Sequence, residues 1–131
     1  MKRLLIVDDA LFMRKLIGGV AVEAGWQVAG EAANGAEAVA LYESLRPDLV
    51  TMDLVMPVMG GLEALRKIRA LDSQAQVIVV TALDQKQALM ESIRDGALDF
   101  ISKPFERDRI LRILNKLGGQ PPASSRTTFG S

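Results

Sequence analysis

Leu49-Val50-Thr51-Met52-Asp53-Leu54-Val55-Met56-Pro57 decides the fold: a strand-forming run ends in an acid, and a proline closes the segment. Leu4-Leu5-Ile6-Val7-Asp8-Asp9 repeats the arrangement near the start of the chain. Short apolar runs with no charged residue interrupting them fit strands covered on both faces, as the strands of parallel sheets are. Each run then delivers its carboxylates where the sheet opens to solvent, and in open α/β sheets ligands bind in the crevice beyond the carboxyl ends of the strands. Asp8, Asp9 and Asp53 form a candidate magnesium site with a nucleophile in it.

The rest of the chain extends the pattern in both directions. Val77-Ile78-Val79-Val80 is β-branched throughout, as expected of a central strand, and delivers Thr81 and Ala82 to the same edge. A weaker strand is predicted around Gln27 to Glu31, and a short one, Asp99-Phe100-Ile101-Ser102, leads into Lys103-Pro104. Helical spacing separates the strands. It predicts buried faces of Phe12, Leu16, Ile17 and Val20, then of Ala38, Leu41, Tyr42 and Leu45, and then of Leu62, Leu65, Ile68 or Leu71. A thin stripe of Leu89 and Ile93 follows, and Ile110, Leu111, Leu114 and Leu117 face inward last. Asn34 with Glu37 reads as a capping box, Asp84 with Gln87 as another cap, and Pro57 with Gly60-Gly61 as a mobile connection. The alternation predicts one α/β domain over 1–118, with strands parallel and helices on both faces. Residues 119–131, rich in Pro, Ser, Thr and Gly, are predicted to be a disordered tail.

Composition narrows the chemistry. The 131 residues suffice for one domain, and a formal net charge of +0 points to neither a nucleic-acid nor a membrane partner. No cysteine and no histidine are present. The chain therefore has no thiolate metal site and no imidazole base, and its chemistry falls to carboxylate, hydroxyl or amine. Met1-Lys2-Arg3 is followed by too short an apolar run for a signal peptide, so the sequence predicts a cytoplasmic protein.

Taken singly, the polar residues have ordinary explanations. An acid pair after a strand is most often a helix cap, Thr81 caps the helix after it, and a loop lysine faces water. Their joint placement is harder to obtain by chance. Asp8-Asp9 follow the first strand, Asp53 the third, Thr81 the fourth and Lys103 the fifth, all at one edge.

With those motifs, Leu-Ile-Val-Asp8-Asp9, Met52-Asp53 with Pro57 and Gly60-Gly61, Val80-Thr81-Ala82 and Phe100 to Phe105, the chain resembles the receiver domains of two-component response regulators. It is most similar among them to the stand-alone CheY-like chemotaxis proteins. The resemblance covers Lys2 to about Leu117 and implies a flavodoxin-like (βα)5 doubly wound sheet in order 2-1-3-4-5. It further implies that Asp53 accepts a phosphoryl group, that Asp9 ligates Mg2+ directly and Asp8 supports the ion, and that the backbone carbonyl of Val55 is a further ligand. Thr81 and Phe100 become the switch residues, Lys103 the phosphate partner, and the Lys103–Pro104 bond cis. The implied partners are a histidine kinase as phosphodonor, an output protein such as the flagellar motor switch, and a phosphatase, with the receiver itself a monomer.

The physics of the residues agrees with these roles. Two carboxylates about 4 Å apart repel by on the order of 4 kcal/mol at an effective dielectric near 20, so three packed together call for a cation. Magnesium prefers oxygen ligands and keeps exchangeable waters. Without a histidine the chain cannot be the phosphohistidine donor, so it is read as a signalling switch and not an enzyme acting on other molecules. The alternatives are the receiver part of a larger DNA-binding regulator and an intermediate phosphorelay carrier. A phosphohydrolase of the haloacid dehalogenase type would need a second Asp where Val55 stands. The resemblance places Val55 and Leu83 at positions that flank the phosphoryl site in receivers; both are aliphatic here, which predicts slow self-dephosphorylation, and Trp26 is too distant to report on metal.

Overall fold

The computed structural model describes residues 1–118, and the predicted alternation runs through them. The elements are β1 (Arg3–Val7), α1 (Leu11–Glu23), β2 (Gln27–Ala32), α2 (Gly35–Leu45), β3 (Leu49–Met52), α3 (Gly61–Leu71), β4 (Val77–Ala82), α4 (Lys86–Arg94), β5 (Asp99–Lys103) and α5 (Arg107–Gly118). All neighbouring strands pair parallel, in the order β2-β1-β3-β4-β5. This is the doubly wound (βα)5 sheet that the sequence predicts.

Side chains alternate across each strand, and the alternation divides the core in two. Leu5, Val7, Val50, Met52, Val77 and Val79 pack against Ala38, Tyr42, Ala64, Leu65 and Ile68, the inward residues of α2 and α3. Leu4, Ile6, Leu49, Ile78, Val80 and Ile101 pack against Ile17, Val20, Ile110 and Leu114 of α1 and α5. Asn34 Oδ1 accepts the Glu37 N–H at 2.9 Å and Glu37 Oε1 accepts the Ala33 N–H at 2.9 Å, so this helix start is capped reciprocally.

Several expectations need correcting. Phe12 is 74% exposed, so α1 does not bury it as its spacing predicts; in α3, of the two alternatives, Ile68 is buried and Leu71 is 39% exposed. In α5 the third buried residue is Ile113, while Leu111 and Leu117 are only half-buried. In α4 Ser92 is the residue taken fully inside, while Ile93 is 44% exposed. Asp84 does not cap α4: Leu83–Gln85 form a short 3-10 turn, and no side chain caps it or the helix. Gly61 also serves close packing, because a Cβ there would lie 2.0 Å from the Asp53 carbonyl oxygen. The predicted tail, 119–131, lies outside the described residues. Among the described residues no helix is long and apolar enough to cross a membrane.

Candidate functional site

Strand alternation also explains which polar side chains meet. Counting by twos from Leu4 and Ile6 reaches Asp8, from Leu49 and Thr51 reaches Asp53, and from Ile101 reaches Lys103, so all three emerge on the α1/α5 side of the sheet edge. Asp8 and Asp53 are 1% and 6% exposed, while Asp9 is exposed. The Lys103 ammonium donates to Asp8 Oδ2 at 2.8 Å and to Asp53 Oδ2 at 3.0 Å. Backbone bonds fix the same corner: Asp8 N–H donates to Ala32 O and Asp53 N–H to Val7 O, each at 3.0 Å. Asp8 Oδ1 accepts the Ala10 N–H at 2.9 Å, so Asp8 folds back on its own loop while α1 itself begins without a side-chain cap.

Charge does not balance here. One ammonium, paired with buried Asp8 and Asp53, stands against three carboxylates, which leaves two negative charges in a corner open to water at Asp9. Burial alone pulls the Lys103 pKa down, but its hydrogen bonds to Asp8 and Asp53, reinforced by their charges, outweigh that and hold the ammonium above its ordinary range. The ligand atoms of Asp8, Asp9 and Asp53 all lie within 4.8 Å of one another. An all-oxygen set with two surplus negative charges fits a hard dication, so these residues could hold a metal ion.

The other predicted residues take their places around this corner. Thr81 is 2% exposed and pairs in register with Ser102, one step from Ala82 and Lys103. It lies on the opposite face of the sheet from Lys103, on the same face as Phe100, which pairs with Val79. Phe100 is 37% exposed and lines a surface cavity of about 590 Å³ with Leu83, Leu89, Met90 and Ile93. The Val55 N–H donates to Asp53 Oδ1 at 3.3 Å, while its side chain and that of Leu83 stay 54% and 66% exposed. The Lys103–Pro104 peptide bond is cis, as the resemblance implies.

Residues 4–115 match the model of the response regulator receiver domain family. The chain belongs to that family. The chemotaxis protein CheY of Thermotoga maritima is 49% identical to this receiver over 88% of its chain and 97% of the relative's. CheY of Bacillus subtilis is likewise 49% identical, over 87% and 95%. Among solved structures, the crystal structure of a CheX–CheY–BeF3–Mg+2 complex from Borrelia burgdorferi superposes with a TM-score of 0.83 at 34% identity, covering 89% of each chain.

One residue at the receiver's corner escapes the sequence reading. Arg14 Nη1 donates to Asp8 O at 2.7 Å and Arg14 Nε to Glu31 Oε1 at 2.9 Å, with only 16% of the side chain exposed. Its position among Met13, Lys15 and Leu16 looks like a solvated helix face. The available signal was its distance from the acids: a cation six residues after Asp8, less than two turns into the helix that leaves them.

Proposed function

We propose that this receiver is a phosphorylation-controlled switch of a two-component system, taking a phosphoryl group from a phosphohistidine of a partner kinase onto Asp53 in the presence of Mg2+. The observation that carries the reading is the Lys103 ammonium spanning Asp8 and Asp53 at 2.8 and 3.0 Å beside exposed Asp9. A nucleophilic carboxylate, a fixed cation and a dication-sized cluster of acids then share one opening. Asp53 attacks in line, its oxygen forming the new bond to phosphorus while the bond to the donor's imidazole nitrogen breaks and its electron pair leaves with the ring. Lys103 stays within reach of the charge gathering on the transferring oxygens. Asp8, Asp9, Asp53 and the Val55 carbonyl would hold Mg2+, which when bound supplies the remaining neutralisation of phosphoryl charge. The chain acts only on its own phosphorylation and dephosphorylation.

The new group brings roughly 1.5 to 2 negative charges and strong acceptors, and Thr81 is the buried hydroxyl next along the edge. Movement of Thr81 toward phosphate frees space on its own face of the sheet, where Phe100 lies on the neighbouring strand. The cavity lined by Phe100, Leu89 and Met90 is the surface that changes, and an output protein such as the flagellar motor switch reads it. Similarity to chemotaxis proteins along most of their length supports a role in chemotaxis. It also supports a regulator of the CheX kind as a further partner. Exposed aliphatic Val55 and Leu83 place no polar group to orient an attacking water, so the phosphorylated form is long-lived.

Incubation with acetyl phosphate, with and without Mg2+, followed by intact mass tests the reading. Wild type should gain one phosphoryl group only with Mg2+, and Asp53→Asn should gain none. Modification without Mg2+, or in the variant, would overturn it, and a half-life of seconds would overturn the slow-decay part alone.

A further inference from the structure

We infer that Arg14 is a positioning residue for the metal corner, acting on the peptide that joins Asp8 to Asp9. The inference rests on the reading that this corner binds Mg2+. Asp9 is the exposed member of the acid cluster and forms no ion pair among the described residues, so the direction of its carboxylate depends on the backbone that carries it. That backbone is held from both sides. The Asp8 N–H donates to Ala32 O at 3.0 Å, and the Asp8 carbonyl, which belongs to the same peptide plane as the Asp9 N–H, accepts Arg14 Nη1 at 2.7 Å. Arg14 is itself anchored, with Nε 2.9 Å from Glu31 Oε1 near the carboxyl end of β2. A planar guanidinium with two donors engaged on separate elements fixes an angle as well as a distance, which an ammonium on a flexible stem cannot do. No side chain caps α1, so this bridge takes over the task of orienting the loop between β1 and the helix.

A cation near a cation site has a second possible effect, and its sign is opposite. If Arg14 acted through its charge alone, it would repel Mg2+, and removing it would tighten binding. If it acts by holding the Asp8–Asp9 peptide, removing it loosens binding even though the corner becomes more negative. Groups that orient metal ligands from outside the ligand set typically cost 10–100-fold in affinity when lost.

Mg2+ affinity measured by calorimetry on the metal-free protein at high salt, which screens distant charges, separates the two. Arg14→Lys keeps charge and stem, and Arg14→Gln removes the charge. Both should weaken Mg2+ binding by about tenfold or more, while the metal-free thermal midpoint stays close to wild type. Glu31→Ala cuts the far arm without touching α1, and should weaken binding in the same direction. At saturating Mg2+ the rate of acetyl phosphate modification of Arg14→Lys should return to within about twofold of wild type, since the defect is in occupancy and not in Asp53. Affinity unchanged in Arg14→Lys, or tightened in Arg14→Gln, overturns the inference while leaving the proposed function intact. A wild-type protein that binds no Mg2+ overturns the proposed function itself, and this inference with it.

Discussion

At the ends of β1 and β3 the receiver buries Asp8 and Asp53 to 1% and 6% exposure and ties both into hydrogen bonds. Across the sheet edge, by contrast, α4 takes only Ser92 fully inside and leaves Met90 56% and Ile93 44% exposed. Besides the half-buried Ala88 and Leu89, which pack against the α2/α3 core, α4 is tied to α3 by a surface guanidinium: Arg66 reaches Asp95 at 2.6 Å and Glu91 at 3.2 Å, from a side chain 53% exposed. Exposed ion pairs contribute about 0–1 kcal/mol, against roughly 1.5–3 kcal/mol for hydrogen bonds to buried charges. The acid corner is therefore stiff and the α4 surface cheap to rearrange. The proposed phosphoryl transfer would need fixed geometry, whereas the proposed signalling surface would need few contacts to break.

The largest expected effect breaks the comparison if it is wrong. Ile110, 1% exposed on α5, is part of the core behind the acid corner, and Ile110→Ala should cost about 2–5 kcal/mol in urea unfolding. Ile93→Ala on α4 should stay within about 0.5 kcal/mol. Equal losses would mean that the outer face of α4 is held as firmly as the core of α5. Next in size is Gly61→Ala. The new methyl would meet the Asp53 carbonyl oxygen at 2.0 Å, so either α3 or the loop after β3 must move. A loss of about 1–3 kcal/mol is expected, as for overpacked cores, together with slower modification by acetyl phosphate. A neutral result would show that the corner is softer than its hydrogen bonds imply.

Val58 sharpens the same contrast within one loop. It has φ 69°, is 84% exposed, and sits between Pro57 O and the Met59 N–H, which bond at 2.7 Å. A β-branched residue in the left-handed region carries about 1–2 kcal/mol of steric strain. Val58→Gly removes that strain but frees the unfolded chain, which offsets about 0.4–1 kcal/mol. The net expectation is a gain of about 0–1.6 kcal/mol in denaturant unfolding, taking the difference of those two terms. A loss would mean that the isopropyl group makes contacts worth more than the strain. The stiffness of the acid corner thus includes a stressed link five residues after Asp53, at a place where strain is often stored near function.

How far this architecture was legible in the sequence depends on which physical rule carries the information. Strand periodicity is short-ranged, so Val77 to Val80 and the acids after Val7 and Met52 announce both the sheet and its functional edge. Helical periodicity gives an angle around an axis but not where the sheet beneath ends, which is why Phe12 reads as core and is exposed. Ser92 was invisible for another reason. A serine reads as surface, yet its hydroxyl donates to Leu89 O at 2.6 Å within its own helix, so it can be buried without an unpaired polar group. Gly61 reads as a flexible joint because the chain cannot disclose that the Asp53 carbonyl passes against it. Arg14 joins α1 to β2 and to the loop after β1, and a contact of that kind has no local signature.

The smallest expected effect tests whether the acid corner is insulated from the rest of the fold. Trp26 is 4% exposed, and its indole N–H donates to Leu114 O at 3.0 Å, so its ring is fixed between the end of α1 and α5. It immediately precedes β2, which puts it at the amino edge of the sheet, opposite the acids. A strand of five residues, such as β1, separates those edges by roughly 16 Å. Mg2+ titration should leave its emission unchanged, while urea unfolding, which exposes the ring, should shift it strongly. A marked quench on metal addition would mean either that the ion binds elsewhere or that the α1/α5 layer moves when the corner is filled. In the second case the stiffness assigned to that corner would extend through Ile17 and Ile110 to the far edge, and α1 and α5 would have to be counted with α4 among the parts that respond.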